Sequence, residues 1–133
     1  MAVGFLQEKL REEGLEGEYS VRSAGVWAPE NQPASTYARQ IMAERGIDIS
    51  DHCGHDLTLE DVEEADLILT MERGQAEAIQ VEFPRHAHKV HLLSEMAGRR
   101  YDIRDPYGGP LYEYRQCATE IERLNEEGYP RIM

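Results

Sequence analysis

The run "ADLILTM", residues 65–71, decides how this chain folds. Apolar residues follow one another without helical spacing and are fenced by acids on one side and Glu72-Arg73 on the other. A short unbroken apolar stretch of this kind is the mark of a strand buried on both faces, which happens where helices cover a parallel sheet from both sides. Working outward supports that reading. Residues 73–83 predict a helix in spite of Gly74, and "HKVHLLS" (88–94) predicts a second strand. Upstream, Ala2, Phe5, Leu6 and Leu10 predict a helix over 1–13 that Gly14 ends. "EYSVRSAGV" (18–26) alternates weakly and predicts a short strand. Pro33 suits the first turn of a helix over 33–45, closed by Gly46. Thr58 with Asp61 reads as a capping box that opens a short acidic helix, 59–64. After Pro110, the spacing of Leu111, Tyr114, Cys117, Ile121 and Leu124 lays an apolar stripe along a final helix. Strands alternating with helices predict an α/β fold: three layers, a doubly wound parallel sheet with helices on both faces. With no internal repeat or linker, residues 1–133 read as one domain.

Composition narrows the function classes. The chain has 133 residues, 41% hydrophobic and 30% charged, with a formal net charge of −12. Such a balance suits a soluble protein and argues against nucleic acid, which asks for a basic face. It leaves room for a local anion site, because net charge does not describe a pocket. No apolar run approaches the roughly 20 residues of a membrane span, so no membrane partner is expected. The start "MAVGFLQEKLREEG" is amphipathic and runs straight into charge, unlike a signal peptide. Cys53 and Cys117 form no CxxC and no metal spacing, which suits a reducing cytoplasm. His86, His88 and His91 have loose metal spacing but no clustered Cys or carboxylate, and read as a solvated strand start. No metal and no cofactor is expected, and neither GxGxxG nor GxxxxGK[ST] occurs.

The chemistry points to "YDIRDPYGGPLYEY", residues 101–114. Taken by itself, Asp105-Pro106 followed by Gly108-Gly109 is a turn. The same residues also suit a carboxyl held in one place on a stiffened loop, which is what a general acid requires.

Five segments in order now resemble one family, the low-molecular-weight protein tyrosine phosphatases, which also include bacterial protein-arginine phosphatases and related arsenate reductases. "MAVGFLQEKL" resembles the helix that follows the family's catalytic loop. "VRSAGVWA" is similar to its second strand and Ser-Ala-Gly turn. "ERGIDISDHCGHDLT" resembles the segment ending in His-x-x-Arg-x-Leu-Thr, with His55 where the family usually has arginine. "ADLILTMER" is similar to the third strand, and "DPYGG" to the Asp-Pro-aromatic signature.

The resemblance implies roles. Asp105 would be the general acid and then the base. Tyr107 would wall the slot for the substrate ring or guanidinium, and Trp27 would line the pocket mouth. Ser23 and His52 would hydrogen-bond behind the catalytic loop. The substrate would be a phosphorylated protein or a small aryl phosphate, as phosphotyrosine or phosphoarginine, and the Gly-Gly pair leans toward the bacterial branch. The family's C-x5-R-[ST]-P loop, with its nucleophilic Cys, is not met. Thr58 and Leu59 stand five and six residues after Cys53, and Cys117 falls on the apolar stripe. The expectation is therefore a chain that starts just after that loop, N-terminally truncated, with the first central strand missing, inactive as it stands and prone to self-association through exposed strand edges. A pseudophosphatase acting as a binding or regulatory domain is the alternative. Arsenate reduction is less favoured, since its relay disulfide needs further cysteines.

Overall fold

A computed structural model describes residues 1–15, 17–24, 36–49, 56–106 and 108–133. Its elements in order are α1 (Ala2–Glu12), α2 (Thr36–Glu44), α3 (Leu59–Glu64), β1 (Ile68–Thr70), α4 (Arg73–Glu82), a 3-10 turn (Pro84–Lys89), β2 (Val90–Leu92), α5 (Leu93–Met96) and α6 (Leu111–Ile132). Two compact units share the chain. The first comprises Met1–Asp56 and Pro106–Glu122, the second Leu57–Asp105 and Arg123–Met133.

In the first unit, α1 buries Phe5, Leu6 and Leu10, and α2 buries Ala38, Ile41 and Met42. Gly4 permits a close approach: a Cβ there would stand 2.9 Å from Ile49 Cγ2 and 3.0 Å from Met42 Cε. Both helices end as their sequence signals demand. After α1 the Leu15 amide donates to Leu10 O (2.8 Å), and after α2 the Ile47 amide donates to Met42 O (2.9 Å). These bonds satisfy carbonyls that the helix leaves without partners, with Gly14 and Gly46 at the turning point. Along the first half of α6, Arg45 donates to Thr119 Oγ1 (2.9 Å) and Arg115 to Glu44 Oε1 (2.9 Å). The Tyr37 and Tyr114 rings meet edge to face, 5.5 Å apart.

The second unit is built on β1 and β2, which run parallel with Ile68 opposite Val90, Leu69 opposite His91 and Thr70 opposite Leu92. The connection between them is α4. Its Ala76 and Ile79 pack with Val90 and Leu92, with Ile68, Leu57 and Phe83 against that cluster. Thr58 caps α3 reciprocally: its Oγ1 accepts from the Asp61 amide (3.2 Å) and its own amide donates to Asp61 Oδ2 (3.0 Å). At the other end of α3, Lys89 Nζ donates to the carbonyls of Val62 (2.9 Å) and Glu63 (3.3 Å), a cation placed where the helix dipole is negative.

Three sequence expectations need correction. Residues 18–24 form no strand, and 25–26 lie outside the described residues. The Val21 carbonyl accepts from the Gln7 side chain (3.0 Å), so a side chain on α1 takes the place of a ladder partner. Alternation alone cannot supply a neighbouring strand. The strands expected over 65–71 and 88–94 are only three residues each. Pro84 starts a 3-10 turn that absorbs His86, His88 and Lys89, and α5 takes over at Leu93. Finally, β1 is not buried on both faces, for Ile68 and Leu69 are half-buried and only Thr70 is fully covered. Ile68 packs on the α4 cluster, and Leu69 points the opposite way by strand alternation. Of the expected helix 33–45, residues 33–35 lie outside the described residues.

Candidate active site

Asp105 lies on an irregular segment that the second unit holds at three successive residues. Ser94, the second residue of α5, is only 1% exposed. Its hydroxyl donates to the Tyr101 carbonyl (2.8 Å) and accepts from the Tyr101 amide (3.1 Å). Arg123 also reaches the Tyr101 hydroxyl at 3.3 Å. Asp102 Oδ1 then accepts from both the backbone amide (3.0 Å) and the Nε (3.2 Å) of Arg73. Arg73 is the first residue of α4, so Asp102 satisfies a helix-terminal amide from 29 residues away, at the end where negative charge is favoured. The Ile103 amide donates to the Met71 carbonyl (2.9 Å), just past β1, and the Ile103 side chain is 5% exposed. Two residues on, Asp105 is exposed, and it has a polar partner of its own. A carboxyl on so short a tether from a buried anchor can be offered to solvent without wandering; two residues span at most about 7 Å.

In the first unit, the Gly109 amide closes a tight turn on the Pro106 carbonyl (2.8 Å). Gly108 sits at φ +83°, a left-handed geometry that a Cβ would strain. A Cβ on Gly109 would meet Glu113 Oε2 and stand 3.0 Å from Pro106 O. Gly108 thus answers a backbone requirement of the turn that leads into α6, and Gly109 sits where a side chain would be tight.

Ser23 is half-buried in the first unit and is hydrogen-bonded or otherwise paired. Tyr107, Trp27, His52, Cys53 and His55 lie outside the described residues. The first unit also holds an open cleft of about 590 Å³ lined by Gly4, Gln7, Glu8, Tyr19, Val21 and Asp48, among others. Sequence reasoning passed over two features. The Ser94 and Asp102 ties are long-range, and no local pattern announces them. Cys117 and Arg123 do have C-x5-R spacing, and that signal was open to notice. Both lie on the continuous helix α6, about 9 Å apart along its axis. There the amides are spent on the helix ladder and cannot cradle an oxyanion, so the spacing does not make a phosphate loop.

The sequence profile of the family "low molecular weight phosphotyrosine protein phosphatase" matches residues 1–128. The chain belongs to that family. Among curated relatives of this phosphatase family, a probable low molecular weight protein-tyrosine-phosphatase, EpsP, of Ralstonia nicotianae is 40% identical over 113 residues, covering 85% of this chain and 77% of its own. The protein-arginine-phosphatase of Bacillus subtilis is 36% identical over 125 residues, covering 93% and 81%. The crystal structure of the low molecular weight protein tyrosine phosphatase from T. tengcongensis superposes with a TM-score of 0.91 at 36% identity, covering 98% of this chain and 88% of that one. The fold is therefore the α/β fold of the low molecular weight phosphatases, as the sequence implied.

Proposed function

We propose that this phosphatase-family chain contributes the general acid, Asp105, to hydrolysis of phosphotyrosine or phosphoarginine on proteins, with a Cys nucleophile that residues 1–133 do not supply. In this reading a thiolate attacks phosphorus. Asp105 gives its proton to the departing oxygen or nitrogen as that bond breaks. The Asp105 carboxylate then takes a proton from water as the water oxygen attacks the thiophosphate, which releases inorganic phosphate and restores the thiolate. The family resemblance assigns Tyr107 and Trp27 to substrate contact and Ser23 and His52 to support of the catalytic loop, with Tyr107, Trp27 and His52 outside the described residues. The observation that carries the reading is the pinning of residues 101–103, which leaves an exposed carboxyl at Asp105 on a short tether. Support for the substrate class comes from the similarity to both a tyrosine and an arginine phosphatase.

We take residues 1–133 as a single phosphatase domain, a reading supported by a family match that runs through both units. We also place it in the cytoplasm, where its phosphoprotein substrates and two cysteines fit; no described helix is long and apolar enough to cross a membrane. A second reading, a binding or regulatory pseudophosphatase, is favoured by the cysteines: Cys117 is helical and Cys53 lacks the C-x5-R context.

Turnover of p-nitrophenyl phosphate and of a phosphoarginine peptide by residues 1–133 tests the proposal. No turnover is expected, and extension at the N-terminus with a strand and a C-x5-R-[ST]-P loop should restore it. Turnover by residues 1–133 that vanishes in Cys53→Ser would identify a different nucleophile. An extended chain that folds but stays inactive would favour the pseudophosphatase.

A further inference from the structure

We infer that Asp102, gripped by Arg73 at the N-terminus of α4, is a positioning residue that sets the location of the Asp105 carboxyl. This rests on Asp105 being the general acid. Both residues of the pair lie in the same unit as Asp105.

Three ties hold the segment, and they are not equivalent. The Ser94–Tyr101 pair is buried and reciprocal, and it fixes the path of the chain as it leaves α5. The Ile103 amide and side chain anchor the chain to the core beside β1. Asp102 stands between them, and its carboxylate reaches the first residue of α4. It joins the acid segment to the amide of Arg73, while the preceding amides of Met71 and Glu72 are taken by Gln75 Oε1, both at 3.2 Å. The strand-to-helix corner at residues 71–73 is thus held from two sides, by Gln75 within α4 and by Asp102 from the acid segment. Met71, on that corner, also supplies the carbonyl that receives the Ile103 amide. Loss of the Asp102 carboxylate removes two bonds at once, one of them to a helix-terminal amide and one charge-assisted, and frees the corner that Ile103 leans on. Ser94 and the core contact of Ile103 remain, so the unit stays folded while the backbone hydrogen bonds at 102–103 weaken and the approach to Asp105 is less firmly fixed. A loosened acid is costly in a selective way. Misplacement on the order of 1 Å weakens proton transfer, and that transfer matters most when the leaving group is a poor one.

Two experiments test this. In residues 1–133, backbone hydrogen exchange followed by NMR should show Asp102→Ala accelerating exchange at Ile103 and Arg73 by tenfold or more, with exchange in α3 unchanged. Unchanged protection at Ile103 overturns the inference whatever the enzyme does. In the N-terminally extended enzyme, turnover is compared for phenyl phosphate, a poor leaving group, and 2,4-dinitrophenyl phosphate, a good one. Asp102→Ala should lower turnover on phenyl phosphate by about tenfold or more and leave the dinitrophenyl ester within about twofold, on the usual scale of general-acid effects. Asp102→Asn, which still accepts from the Arg73 amide, should recover part of the loss. Arg73→Ala keeps that amide and should fall between the two. In an Asp105→Asn background, Asp102→Ala should add little, because the two act through one proton transfer. Equal losses on both esters, or fully additive losses, reduce Asp102 to a structural residue and overturn the inference. If Asp105→Asn itself leaves the leaving-group dependence intact, the general-acid reading of Asp105 has failed instead.

Discussion

In the proposed function, the Asp105 carboxyl has to be both mobile enough to meet substrate and fixed enough to transfer a proton. Asp105 is exposed and Ile103, two residues earlier, is buried, an arrangement compatible with both demands. In the extended enzyme, Asp105→Asn is expected to lower turnover of phenyl phosphate about a hundredfold, the usual scale for loss of a general acid. The burst of phosphoenzyme with a good leaving group should suffer less. Near-normal steady-state turnover on phenyl phosphate would remove Asp105 from the mechanism. Gly108 carries a different constraint. Its φ of +83° means that Gly108→Ala strains the turn between the Asp-Pro step and α6, by about 1–2 kcal/mol. Among the described residues no atom lies within 4 Å of the new methyl, so the expected cost is one of backbone conformation. A urea midpoint unchanged from the parent would contradict this.

At the scale of elements, helix ends were legible and strand partners were not. Thr58, Gly14 and Gly46 act on their immediate neighbours, so their roles could be read from a few letters of sequence. The Val21 carbonyl, by contrast, goes to a side chain 14 residues away, which no local pattern encodes. Helix α6 offers a test of packing against propensity. Gly128 is buried within it, and an added Cβ would stand 2.7 Å from Met96 Cβ and 3.1 Å from the Met96 carbonyl carbon. Alanine gains about 1 kcal/mol of helix propensity over glycine. Overpacking against a backbone that cannot swing aside costs about 1–3 kcal/mol. Gly128→Ala should therefore destabilise the chain, and a raised melting temperature would show that α5 yields easily.

For the whole molecule, the sheet sets the expectation. Among the described residues it has two strands of three residues each, fewer than an independently stable sheet usually needs. The amide of Ile103 extends main-chain pairing just beyond β1, at Met71. An exposed sheet edge invites pairing with another chain. Sedimentation velocity on residues 1–133 is expected to show association that grows with concentration. A monomer with a sharp, cooperative thermal transition would sink this expectation and strengthen the pseudophosphatase reading.

The helices near 1–13, 59–64 and 73–83, the helix stops at Gly14 and Gly46, the Thr58 cap and the apolar stripe of α6 were determined by the sequence itself. Each rests on periodicity or on hydrogen bonds that close within a turn of chain. The "DPYGG" stretch likewise announced a turn, and Gly108 sits there at a φ of +83°. What only the tertiary structure decided is how residues 101–103 are held. Ser94 grips Tyr101, Arg73 grips Asp102, and Met71 receives the Ile103 amide. These bonds join residues 7, 29 and 32 positions apart, brought together when α4 and α5 pack on the β1–β2 pair. A pattern in sequence can fix which groups need partners, but across such separations the partner is chosen by packing.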